Sequence, residues 1–302
     1  MARVPRDDRR YPRHVTQIDR LFVAGAGLMG HGIAQVHAAI GKDVTLYEPD
    51  LARAEAGRDR IASNLQRAVD KSRLDAKDRE ATLARIHPTA DLTRAAEADL
   101  VIEAVFEDLE VKSALWRELD RHAPSTTIFA SNTSSLAIHR LADAVGRDRR
   151  RLFIGMHFFS PVPIMPLVEL IRSDATADET LEAVRALAGE LGKQVIVSAD
   201  RPGFIVNRIL MPLLAEAMRA LEQGVGTAED IDAGARVGLN HPMGPLELAD
   251  FIGLDVCLNI MRVLEDGLGH EHSGPPQNLI DLVAAGHLGQ KTGRGFYAYP
   301  RA

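Results

Sequence analysis

Cysteine is all but absent. Cys257 stands alone among 302 residues, which excludes a disulfide within the chain and a cysteine-rich zinc site. The single thiol is expected to serve as a small buried apolar group, and no metal centre is expected. Long apolar runs are missing too. Nothing approaches the ~20 residues that a membrane-spanning helix needs, so no membrane partner is expected. There is no excess of positive charge, with 36 Lys and Arg against 42 Asp and Glu and a net charge of −6. That balance excludes a broad nucleic-acid surface, while a local basic patch for a phosphorylated ligand remains compatible with it. The opening stretch, MARVPRDDRRYPRHVTQIDR, lacks the apolar core of a secretory signal, and Asp7, Asp8 and Asp19 set it apart from a transit peptide. We expect residues 1–18 to form a solvated or weakly docked tail, and the protein to reside in a cytoplasmic, reducing location.

What is present is apolar content, 46% of residues, enough for one large domain or two moderate ones. In the first half, short apolar runs alternate with amphipathic stretches. Leu21–Ala24, Val44–Tyr47, Leu100–Val105, Thr127–Ala130, Phe153–His157, Leu167–Ile171 and Val195–Val197 read as strands bounded by Gly, Asp, Pro or Ser. Residues 30–40, 51–71, 108–122 and 176–191 have helical spacing between them. Such alternation predicts a parallel sheet covered on both faces. Beyond about residue 200 the strand-like runs vanish. Residues 203–223 and 245–265 have helical spacing, and Thr227 with Asp230 three residues on reads as a helix cap. The class is therefore α/β, with a first domain at 19–200 and an all-helical one at 201–302. Asp200-Arg201-Pro202-Gly203 has the chemistry of a hinge.

The run Leu21–Ala24 leads straight into Gly25-Ala26-Gly27-Leu28-Met29-Gly30 and then into a helix, and the next strand closes at Glu48. In that context the glycines form a dinucleotide-binding turn. Gly25 permits the tight turn, Gly27 the close approach of a pyrophosphate, and Gly30 the close packing of helix on strand. The helix start at Leu28 and Met29 offers unpaired N–H groups to phosphate. Glu48 accepts hydrogen bonds from ribose hydroxyls and repels a 2′-phosphate, with Asp50 adding to the repulsion, so the cofactor is expected to be NAD rather than NADP. The short chain disfavours an FAD-binding variant.

His157 closes an apolar strand, a Pro-rich turn follows, and the next apolar strand carries Glu169 at an interior position. Two readings fit this spacing. A strand-end histidine is often structural, and Glu169 can face solvent on an edge. Alternatively the turn brings the two together as an imidazole–carboxylate pair, the equipment for removing a hydroxyl proton as hydride departs.

Seven stretches in order carry a further signal: GAGLMGHGIAQ, EAVFEDLEVK, FASNTSSL, GMHFFSPVPIMPLVELI, RPGFIVNRIL, HPMGPLELADFIGLD and GQKTGRGFYAY. By these the chain resembles the 3-hydroxyacyl-CoA dehydrogenase family, of the 3-hydroxybutyryl-CoA dehydrogenase type. The resemblance implies a Rossmann-like NAD-binding domain, a helical C-terminal domain that forms a homodimer, and a substrate cleft between them. It places the general base on His157, the orienting carboxylate on Glu169, a supporting amide on Asn207, and on Ser134 a hydroxyl that meets the 3-oxygen and lies near the cofactor. It adds Glu107, Lys112, Ser160 and Lys291 as cofactor contacts and Asn64 and Lys71 as acyl-CoA contacts. There are departures. Ser160 stands where single-domain members often carry Asn, and Asn64 stands where a serine is usual.

The expected activity is thus NAD-dependent oxidation of an acyl-CoA thioester, (S)-3-hydroxyacyl-CoA, to the 3-ketoacyl-CoA, in fatty-acid β-oxidation. Two other readings remain open at this point. One is a dehydrogenase of a 3-hydroxy acid without CoA, of the sugar-acid or carnitine type. The other is a non-catalytic NAD-binding structural protein. Phe158-Phe159 favours the acyl-CoA branch, and the His157, Glu169 and Asn207 set argues against the structural one.

Overall fold

The computed structural model describes residues 17–269 and 274–300. Residues 1–16 of the expected tail lie outside these. Ile18, counted with that tail, instead packs into the sheet's core with only 4% of its surface exposed. The chain divides into two compact units. One runs to Thr133 and resumes over Ile138–Ala199; the other takes Ser134–Ala137 and everything from Asp200 on.

The first unit is a sheet in the order β3-β2-β1-β4-β5-β6-β7-β8. Its strands are β1 (Arg20–Ala24), β2 (Asp43–Tyr47), β3 (Ile86–Thr89), β4 (Leu100–Glu103), β5 (Ile128–Ser131), β6 (Phe153–Phe158), β7 (Leu167–Arg172) and β8 (Gln194–Ala199). Between them run α1 (Leu28–Ala39), α2 (Leu51–Asp70), α3 (Ala76–Ala84), α4 (Leu109–His122), α5 (Ile138–Ala142) and α6 (Asp178–Glu190). Every residue of β4 and β5 is buried. Since alternate residues face opposite sides, helices must cover both faces. Trp116 of α4 lies between Phe129 and Phe153, with ring centroids at 4.9 and 4.8 Å. Burying each such side chain contributes roughly 1.5–3 kcal/mol.

The sheet departs from expectation in two places. It is not wholly parallel, because β6 and β7 pair antiparallel before β7 and β8 resume the parallel arrangement. The connection Phe159–Pro166 is too short for a parallel crossover and closes a hairpin instead. Strand β3 was not anticipated. Its sequence, Ile86-His87-Pro88-Thr89, has no apolar run, and proline is tolerated there because β3 is an edge strand.

The second unit contains α7 (Val206–Glu222), α8 (Ala228–Ala233), α9 (Pro245–Ile252), α10 (Leu254–Leu268) and α11 (Gln277–Ala284), and no strand ladder among its described residues. Residues 245–265, expected as one helical stretch, break at Gly253, whose φ of 105° ends α9 and starts α10. Thr227 caps α8 by accepting the Asp230 N–H at 3.1 Å, while its hydroxyl donates to the Asp230 carboxylate at 2.9 Å. Two buried carboxylates organise the rest. Asp232 accepts the N–H groups of Leu246 and Glu247 at 2.8 and 2.9 Å and the Tyr297 hydroxyl at 2.9 Å. Asp250 accepts those of Phe296 and Tyr297 and the Tyr299 hydroxyl, at 3.0, 2.9 and 3.0 Å. A Cβ at Gly244 would strike Asp232, and one at Gly295 would strike Asp250. Part of HPMGPLELAD and GRGFYAY is thereby accounted for by packing.

Candidate active site

The glycine-rich turn joins β1 to α1. Gly25 has φ of 103°, and a Cβ there would lie 2.6 Å from the Ala104 carbonyl oxygen. A Cβ on Gly30 would collide with the Gly25 carbonyl, so this glycine lets the first turn of α1 press on the loop. At Gly27 a Cβ would meet nothing within 4 Å. That open space lies at the start of α1, where no side chain caps the helix and Leu28 is 70% exposed. Uncapped N–H groups facing open space fit the pyrophosphate of a dinucleotide. Glu48 follows β2 and accepts the Ala26 N–H at 2.8 Å. One carboxylate oxygen thus braces the turn, and the half-exposed group keeps acceptor capacity for a ribose. Asp50 caps α2 through the Ala52 N–H at 2.9 Å.

Across β1 from β2, the ends of β4 and β5 hold a polar ring that sequence reasoning did not foresee. Glu103 is wholly buried. Its Oε1 accepts Lys112 Nζ at 2.5 Å and the Val105 N–H at 2.9 Å, and its Oε2 accepts the Ser131 hydroxyl at 2.7 Å. Burial pushes the Glu103 carboxyl above its usual range, and the Lys112 ammonium opposes the shift. Lys112, 1% exposed, also reaches Glu107 at 3.1 Å and the Val105 carbonyl at 3.3 Å. Glu107 accepts the Thr133 hydroxyl at 2.5 Å, and the Thr133 N–H donates to Ser131 Oγ at 3.3 Å. Lys112 Nζ therefore has three protein acceptors within 3.3 Å.

The β6–β7 hairpin brings His157 and Glu169 together. They are direct partners in its register. His157 Nδ1 lies 3.1 Å from Glu169 Oε2, with both side chains buried. A carboxylate only accepts, so Nδ1 carries the proton and the lone pair of the neutral imidazole belongs to Nε2. The Phe159 ring lies 4.5 Å from the imidazole, centroid to centroid. Three supports hold the hairpin. Asn132 Oδ1 accepts the Phe158 N–H at 2.9 Å. Lys193 donates to the carbonyls of Val162 and Met165 at 2.7 and 2.6 Å. The turn rests on α1, where a Cβ on Gly32 would come 2.9 Å from Val162. Gly32 and Asn132 stand in the quoted stretches GAGLMGHGIAQ and FASNTSSL without an expected role, and Lys193 in none, because each acts on an element remote in the chain.

The remaining expected residues are dispersed. Ser160 is exposed just after β6. Asn64 of α2 is half-buried, its amide 3.5 Å from Gln35 and its oxygen bonded by Arg67. Lys71 ends α2 in solvent. In the second unit, Asn207 is buried and donates from Nδ2 to the Ser134 carbonyl at 3.0 Å. Lys291 pairs with both carboxylate oxygens of Asp255, at 2.5 and 2.7 Å. Among the described residues no helix is long and apolar enough to cross a membrane, and no cluster of potential ligands for a metal is found.

Comparison with known proteins agrees across almost the whole chain. The family model described as 3-hydroxyacyl-CoA dehydrogenase, NAD binding domain, matches residues 20–201, and the one described as its C-terminal domain matches residues 203–299. The 3-hydroxybutyryl-CoA dehydrogenase of Bradyrhizobium diazoefficiens is 49% identical over 93% of this chain and 96% of its own. A probable 3-hydroxybutyryl-CoA dehydrogenase of Bacillus subtilis is 46% identical, over 94% and 98%. Among solved structures, the (S)-3-hydroxybutyryl-CoA dehydrogenase of Ralstonia eutropha superposes with a TM-score of 0.91 at 43% identity, covering 94% of this chain and all of that one.

Proposed function

The chain belongs to the 3-hydroxyacyl-CoA dehydrogenase family, and from that premise we propose how its residues perform the reaction. It is an NAD-dependent oxidoreductase that converts (S)-3-hydroxyacyl-CoA to 3-ketoacyl-CoA, reversibly. When bound, NAD supplies the hydride acceptor. Gly25, Gly27, Leu28, Met29 and Gly30 seat its pyrophosphate, and Glu48 takes the adenosine ribose. Glu107, Lys112, Ser134, Ser160 and Lys291 serve the nicotinamide half, Lys112 by way of Glu107.

The observation that carries the mechanism is the buried His157–Glu169 hydrogen bond of 3.1 Å. His157 Nε2 takes the proton of the C3 hydroxyl as the C3–H bond yields its electron pair, leaving a C3 carbonyl. Glu169 holds the tautomer and balances the imidazolium. Ser134 and Asn207 orient the substrate oxygen, with Asn207 fixing the Ser134 backbone. Asn64 and Lys71 bind the CoA moiety. The test compares acetoacetyl-CoA with free acetoacetate as oxidants of NADH. We expect turnover with the thioester and little with the free acid; equal rates, or none with the thioester, would overturn the acyl-CoA assignment.

We further propose a homodimer built through the 201–302 domain, with 19–200 as the cofactor domain, working in cytoplasmic fatty-acid β-oxidation. Ile209 and Leu213 of α7, with Ile205 at its N-cap, recur at helical spacing with exposures of 67%, 38% and 36%, an apolar stripe suited to a second copy. The lone buried thiol suits a reducing compartment. Replacing Ile209 and Leu213 by Glu should give a monomer in sedimentation equilibrium, and an unchanged dimer would remove α7 from the interface.

A further inference from the structure

We propose that Glu103 is a positioning residue of the cofactor site, acting through Lys112 and Glu107. The proposal rests on the reading of Glu107 as a cofactor contact.

Its first support is place. β2 and β4 flank β1, so the strand order reverses there, and ligands of such sheets bind beyond the strand ends at that point. Register pairs Glu103 with Ala24, the residue before the glycine-rich turn. Gly25 abuts Ala104, next to Glu103. With Glu48 marking the adenosine side at the end of β2, the ends of β4 and β5 flank the nicotinamide side.

The second support is the form of the ring. Four of its members, Glu103, Lys112, Ser131 and Thr133, are buried; the fifth, Glu107, has a side chain 37% exposed. An ion pair that served the fold alone would be complete at Glu103 and Lys112. Here Lys112 is shared with a second carboxylate that reaches the surface, and Thr133 grips that carboxylate from the other side at 2.5 Å. Two carboxylates and one ammonium carry a net charge of −1, and Glu107 is the member of the ring that reaches the surface. Oxidised nicotinamide is cationic, and ribose hydroxyls are donors; both suit such a face. Glu103 takes up part of the Lys112 charge, so Lys112 is not the counter-ion of Glu107 alone. Without Glu103, Lys112 would draw Glu107 inward as its sole counter-ion.

The test measures NAD+ affinity by calorimetry, and thermal stability, for Glu103→Gln, Glu107→Gln, their double variant and Thr133→Val. Glu107→Gln should weaken NAD+ about tenfold, a loss typical of a hydrogen bond to a charged group. Glu103→Gln should weaken it to a similar degree. The double variant should be no weaker than Glu107→Gln alone, because both act through one group. Thr133→Val leaves every buried charge in place, so it reports on the ring even if Glu103→Gln fails to fold, and it should cost about threefold. Unchanged affinity in Glu107→Gln would overturn the reading of Glu107 on which the proposal rests. Weakened binding in Glu107→Gln, with wild-type affinity in Thr133→Val and in any folded Glu103→Gln, would overturn the proposal alone. Additive losses in the double variant would also overturn it.

Discussion

Replacing Glu169 by Gln keeps the shape of the side chain and removes its charge. Glu169 is wholly buried on β7, and its Oε2 lies 3.1 Å from His157 Nδ1. In the proposed mechanism the imidazole becomes a cation as it takes the substrate proton, and in the wild type a carboxylate faces it. With the charge centres about 4 Å apart and an effective dielectric of about 20, their attraction is about 4 kcal/mol. None of it exists while the imidazole is neutral, so it acts on the transition state rather than the ground state. At about 1.4 kcal/mol per decade, Glu169→Gln should lower kcat by roughly a thousandfold. A Gln amide can also donate to Nδ1 and hold the wrong tautomer, which adds to the loss. The assay is oxidation of (S)-3-hydroxybutyryl-CoA by NAD+ at saturation, alongside NADH binding. We expect kcat to collapse with the NADH dissociation constant within about twofold, as a charge term confined to the transition state requires. A kcat within about fivefold of wild type would refute this reasoning, because a buried charge at that distance cannot act so weakly.

Two further perturbations probe other parts. Gly27→Ala puts its Cβ into open space, so stability should change by less than about 0.5 kcal/mol while NADH affinity falls. Gly30→Ala drives its Cβ into the Gly25 carbonyl and should cost about 1–3 kcal/mol of stability as well; urea titration of both variants checks the contrast, and equal stabilities would contradict it. His37 of α1 donates from Nδ1 to the Ile33 carbonyl at 2.8 Å, and its buried Nε2 has no hydrogen-bond partner. Burial, with Lys42 and Lys193 adding repulsion, depresses its pKa from 6.5 to about 4. The unfolded chain therefore binds the proton more tightly. Stability present above pH 6.5 is lost as pH falls toward 4, by about 3 kcal/mol from this group. His37→Phe should flatten that part of the urea-stability profile, and an unchanged profile would refute the assignment.

Much of the architecture was readable from local pattern. Seven of the eight strands of the first unit announced themselves because buried strands are short apolar runs, and the glycine-rich turn because each glycine meets a separate steric demand. The histidine–glutamate contact was one of two readings, and the short turn between β6 and β7 settles it by forcing a hairpin with those residues in register. What stayed hidden depends on partners far away in sequence. β3 carries Pro88, which is acceptable only at a sheet edge. Glu103 reads as one polar residue inside the run Leu100–Val105 until Ser131 and Lys112 converge on it. Asp232 and Asp250 look like helix-surface charges until the segment 295–299 folds over them. Gly253 breaks a helical pattern that periodicity alone carries through.

The most direct trial is His157→Gln, measured for turnover and for NADH binding together. Loss of the proton acceptor should cut kcat by about 10²–10⁴ while the cofactor binds as before. Near-normal turnover would mean that another group takes the proton, and the account built on the β6–β7 hairpin would fail.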